Sequence, residues 1–132
     1  MEVLGAEASV SSGNVTMTTT AETIAITSNP LTQERPGVSY LIKAWAQVTT
    51  GTNITTMLSK IRRGTTTSGT KVNESNVITV GAAAGSNEVF TAWAFDTPGD
   101  VSAMQYSFTL TQAGADGNGT ILQSGIEVTQ LE

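Results

Sequence analysis

The chain has 132 residues and a formal net charge of −5, with 6 Lys and Arg set against 11 Asp and Glu. It contains no His and no Cys, which excludes an imidazole general base, a thiolate nucleophile and a zinc finger. The few cations and acidic balance argue against nucleic acid as a partner, and no apolar run reaches the length of a membrane-crossing helix.

One domain suits this length, and it can bury roughly two-thirds of its unfolded surface. In chain order, residues 1–13 are small and polar and read as a flexible N-terminal arm, leaving 14–132 as the folded domain. Val15 to Thr19 and Thr23 to Thr27 are short strand candidates, and Asn29-Pro30 and Arg35-Pro36-Gly37 punctuate a loop. Val38 to Thr49 is the clearest strand: Val38, Tyr40, Ile42, Ala44, Ala46 and Val48 share one face, and Leu41, Lys43, Trp45 and Gln47 the other. Thr55 to Arg63 follows a turn at Gly51 to Asn53, and shorter strands are predicted at Thr70 to Val72 and Val77 to Val80. After the small-residue loop Gly81 to Gly85, Glu88 to Phe95 resumes the alternation. Asp96-Thr97-Pro98-Gly99-Asp100 is a strong turn, because Pro pre-sets φ and Gly accepts a positive one. Met104 to Gln112 and Thr120 to Gln130 complete the set around the turn at Gly114 to Gly119. About eight strands of period-two pattern, rich in β-branched Thr, Val and Ile, predict an antiparallel two-sheet, jelly-roll-like sandwich.

The strands at 38–48 and 88–95 break the expected pattern by carrying large apolar residues on both faces. A sandwich strand with one wet face should be polar on that face. Either a central position in the fold or a second buried surface, such as a contact between subunits, accounts for the excess. Trp45 shares its face with Lys43 and Gln47, and Phe90 lies on the less well patterned face of its strand, so Lys43, Trp45 and Phe90 are candidate interface residues. Arg62 and Arg63 join them as cations for an anionic partner surface or an ion pair between subunits with Glu88 or Asp96, beside the plainer reading as a solvated strand end that blunts a sheet edge.

Other chemistries find less support. Glu74, Glu88, Asp96, Asp100, Asp116 and Glu127 read as turn or strand-end acids, and nothing in their spacing places two on one concave face, as a glycosidase requires. Asp96 with Asp100, and Asp116 with Asn118, offer oxygen ligands to calcium, but in too small a number for a closed site, so no metal or other cofactor is expected. Trp45 and Trp93, each flanked by alanines, admit a sugar-stacking platform beside the reading as core or interface anchors. Met1 to Glu7 carries two acids and no basic segment, unlike a secretory signal, and the absence of Cys fits a reducing cytosol.

Tyr40-Leu41-Ile42-Lys43-Ala44-Trp45, Ile61-Arg62-Arg63-Gly64-Thr65, Ser68-Gly69-Thr70-Lys71-Val72, Asp96-Thr97-Pro98-Gly99 and Gly114-Ala115-Asp116-Gly117-Asn118-Gly119-Thr120 follow one another in an order that resembles small Thr-rich β-sandwich proteins encoded among the structural genes of tailed phages. The resemblance covers about two-thirds of the chain and implies a jelly-roll subunit, commonly trimeric, that decorates a capsid or forms part of a fibre. It brings no catalytic residues. The expectation is a non-enzymatic capsid decoration (cement) protein, made in the host cytoplasm and carried on the virion, whose partners are viral capsid protein and itself as a homotrimer or another closed cyclic oligomer. The alternatives are a fibre or spike head, or a carbohydrate-binding module, that holds a glycan through exposed aromatics.

Overall fold

Alternating β-branched and apolar residues require strands, and the computed structural model places twelve of them among the described residues, with no helix. Described are all residues except 1, 12, 19–20, 51–53, 76–77, 80–86 and 115–118, and the side chains of 54, 55, 78, 79 and 114. The strands are β1 (Val3–Ser11), β2 (Val15–Thr16), β3 (Glu22–Thr27), β4 (Leu31–Thr32), β5 (Ser39–Thr49), β6 (Ile54–Arg63), β7 (Lys71–Glu74), β8 (Ile78–Thr79), β9 (Asn87–Asp96), β10 (Ala103–Met104), β11 (Tyr106–Gly114) and β12 (Thr120–Leu131).

Two sheets carry the fold. One runs β1-β12-β5-β9, with β2 extending the β1 edge of β12; the other runs β3-β11-β6-β7, with β8 beside β6. Counted in chain order, the eight strands of four or more residues lie 1-8-3-6 and 2-7-4-5, the order of a jelly roll. β4 and β10 pair with each other as a separate two-stranded sheet.

Between the sheets, Tyr40, Ile42, Phe90, Ile126 and Val128 meet Met57, Ile61, Tyr106, Phe108 and Leu110 in one core. Tyr40 and Tyr106 stack across the gap with ring centroids 5.8 Å apart. Each fully buried large side chain here contributes about 1.5–3 kcal/mol relative to exposure. Gln130 ties the short β4 to this frame: its Nε2 donates to Thr32 O at 2.9 Å, and its Oε1 accepts from Glu34 N at 2.7 Å.

Most predicted strands lie within a residue or two of the observed ones. The N-terminal arm is the main correction. Val3–Ser11 is the first strand of the jelly roll, paired antiparallel with β12 from Val3↔Leu131 to Ser11↔Ser124, and Leu4 packs on the core. The predicted strand at Val15 to Thr19 is shorter, since Met17 leaves the ladder and its side chain is fully buried. The Pro98-Gly99 turn forms as read, with Gly99 at φ 88°. The loop at 81–85 and the calcium candidates Asp116 and Asn118 lie outside the described residues.

Candidate protein interface on one sheet face

The two outer faces of the sandwich differ in chemistry. On the β3-β11-β6-β7 sheet, Glu22 of β3 reaches across β11 to β6. Arg62 donates to its carboxylate through Nε and Nη2, and Lys60 Nζ donates at 3.0 Å. Lys71 Nζ donates to Glu74 Oε2 at 2.8 Å beside them. This face is wetted by paired charges. Burial acts to raise the Glu22 carboxyl, but the Arg62 and Lys60 hydrogen bonds and charges outweigh it and hold the group at about 2, below its ordinary 4.5.

Because this value is depressed on folding, the unfolded chain binds the extra proton first. The stability from this cluster is therefore complete above about pH 4.5 and is lost as pH falls towards about 2. Urea midpoints followed across that window should fall with pH, and Glu22→Gln should flatten the fall while lowering stability at neutral pH.

The outer face of the β1-β12-β5-β9 sheet is apolar. Val10 is 75% exposed, Val89 and Trp93 63% each, and Phe95 54%, with Leu41 and Trp45 half-buried on the same face. Trp93 and Phe95 touch edge to face, their centroids 5.9 Å apart. The register explains the relief of this surface. Three rows cross it: Ala6–Thr129–Leu41–Phe95, Ala8–Glu127–Lys43–Trp93, and Val10–Gly125–Trp45–Thr91. The large side chains stand on β5 and β9, and a hollow of about 500 Å³ opens among all four strands, lined by Ala8 and Val10 of β1, Glu127 of β12, Lys43 and Trp45 of β5 and Trp93 of β9. Gly125 is required there, since a Cβ on it would run into the Trp45 indole lying across it.

Lys43 sits at the centre of this face. Among the described residues the other cations are all paired within the chain, Arg35 with Glu132, Lys60 and Arg62 with Glu22, Arg63 with Asp96 and Lys71 with Glu74. Lys43 has no such partner, although Glu127 is its direct cross-strand neighbour.

The structure therefore divides the interface residues expected from sequence. Lys43 and Trp45 lie together on the apolar face. Phe90 does not: its side chain points into the core, only 4% exposed, opposite the small Ala46. Arg62 is held by Glu22, and Arg63 makes two 2.6 Å hydrogen bonds to Asp96, so both cations are engaged inside the chain. Asp96, read as a turn acid, is buried and also accepts from Tyr106 Oη at 2.8 Å. Burial and the Asp96 carboxylate together push the Tyr106 phenol well above its ordinary range. Of the exposed face, the sequence did not single out Phe95, and it offered Trp93 only as a stacking platform or a core or interface anchor.

No protein-family profile and no curated protein sequence matches the chain. Among solved structures it is similar to a chain of the infectious bursal disease virus Gt strain structure, with TM-score 0.55 and 9% identity over 96% of this chain and 32% of that one. It is also similar to a chain of the Gx strain of that virus (TM-score 0.47, 11% identity, 92% of this chain and 32% of that one). A third similarity is to a chain of the disulfide-linked pili that form Bacillus endospore appendages (TM-score 0.44, 19% identity, 100% and 93% covered). This chain spans about a third of the length of the viral chains. At these identities the likeness is one of fold.

Proposed function

We propose that this chain is a non-enzymatic structural subunit of a virus particle, a capsid decoration protein that binds assembled capsid protein and stabilises the shell. It is made in the host cytoplasm and carried on the particle surface. The observation that carries this reading is the apolar outer face around Trp93 and Phe95, which suits a subunit that works in an assembly of protein chains, whether it meets capsid protein or another copy of itself. Monomeric proteins rarely leave a contiguous apolar patch of more than a few hundred Å² in water, and a larger one marks a contact with another macromolecule. The buried carboxylate Asp96 and the partly buried Glu22 are committed to ion pairs, which favours a structural role for them over general acid–base work. The fold likeness to a viral chain supports the same reading. A decoration protein needs only to bind the assembled shell better than its dissociated parts, and mass action does the rest.

Density-gradient purification of particles from the virus that encodes the chain tests this. The protein should travel with the particles, and particles lacking it should break at lower temperature. Protein found only in the unbound fractions contradicts the proposal.

The hollow between Trp45 and Trp93, flanked by Lys43 and Glu127, favours one second reading, a fibre head or carbohydrate-binding module that stacks a sugar on these rings. Saturable quenching of tryptophan fluorescence by a polysaccharide would favour it over the first.

A further inference from the structure

We infer that the apolar face closes on a second copy of this chain, the two sheets stacked face to face about a twofold axis that runs parallel to the strands between β12 and β5. The inference rests on the reading of this face as a protein contact and names its occupant.

The three rows fix the geometry. Such an axis keeps position along the strands and exchanges the two sides of the sheet, so β9 of one copy lies over β1 of the other, and β5 over β12. In the central row, Ala8–Glu127–Lys43–Trp93, this sets Trp93 over Ala8 of the second copy and Lys43 over Glu127 of the second copy. In the row beside it, Phe95 covers Ala6 and Leu41 covers Thr129. In these two rows large side chains thus meet small ones, and the cation left unpaired among the described residues meets an acid. In the third row the Trp45 indole, lying across Gly125 of its own copy, meets the Trp45 of the second copy near the axis. An axis in the same plane but perpendicular to the strands would instead set bulk on bulk along β9 and Lys43 on Lys43.

A patch that complements itself is what a twofold contact needs, because both copies present the same surface. A threefold ring joins two different surfaces and would leave this match unused. Four strands and about nine residues along each give a face of about 20 Å by 30 Å, and sheets stack about 10 Å apart. The pair would bury about 1,200 Å² in total, the lower bound for a stable specific interface.

Mass by sedimentation equilibrium at micromolar concentration should be twice the 13.7 kDa of the chain. Trp93→Ser, a change at an exposed residue, should weaken the pair about thirtyfold or more. Lys43→Glu and Glu127→Lys should each weaken it about tenfold alone, and a one-to-one mixture of the two variants should pair again, since each then presents the charge that the other lacks. Pairing regained only on mixing reports contact between copies rather than cross-strand repulsion within one. A monomeric or trimeric wild-type mass overturns the inference, as does a mixture no better than its parts. A monomer whose Trp93→Ser variant loses particle binding overturns the twofold pair and leaves the proposed function standing.

Discussion

Deletion of residues 1–11 should lower the stability of the domain by about 3 kcal/mol or more, a large share of the 5–15 kcal/mol typical of a single domain. Those residues contain β1, which pairs with β12 along its whole length and seats Leu4 on the core. Releasing them returns conformational entropy of about 1–2 kcal/mol per residue, which offsets most of the backbone hydrogen bonding lost. The net cost comes from apolar contact. Leu4 leaves the core, and Ile126 and Val128 of β12 lose cover on one side. For a domain of this size the melting temperature should drop by about 10 °C. β12 would also become a long open edge, so the truncated chain should aggregate near its melting point. An unchanged melting temperature would mean that β1 adds nothing to the sandwich.

Asp96→Ala should cost about 3–4 kcal/mol, read as a shift of the urea midpoint at unchanged slope. Asp96 is buried at the end of β9 and joins both sheets: Arg63 of β6 donates to both of its oxygens, and Tyr106 of β11 donates to one. Alanine would leave the Tyr106 hydroxyl buried without an acceptor and uncouple Arg63, which reaches solvent more easily. Asp96→Asn retains an acceptor for Tyr106 and should cost about half as much. If Asp96→Ala matched a surface substitution, within about 0.5 kcal/mol, the clamp would carry no stability.

These two sites mark where sequence reasoning ran short. Strands with strong alternation were legible almost to their ends, because Tyr40, Ile42 and Val48 on one side of β5, and Ile126 and Val128 on β12, repeat at period two. β1 was not, because an edge strand of Gly, Ala and Ser has little side-chain contrast between its faces. β9 showed two apolar faces, but its residues do not say which is inward. That is decided by register, which sets Phe90 beside the small Ala46 of β5 and leaves Trp93 outside. Arg62 and Arg63 point to opposite faces, as adjacent strand residues must, but their acids lie 40 and 33 positions away, beyond any local pattern. The doubled apolar faces of β5 and β9 were the legible sign of the exposed apolar face, on which Lys43 and Trp45 lie.

The central claim is that the Trp93 face is covered by protein when the chain is at work. Hydroxyl-radical footprinting measures this directly by comparing oxidation of Trp93 and Phe95 in dilute protein, in concentrated protein and on particles. Both residues should be attacked readily in dilute solution and be protected in the other two states, while Val3, exposed but off the three central rows, reacts alike in all of them. Equal oxidation of Trp93 and Phe95 in every state would contradict the account.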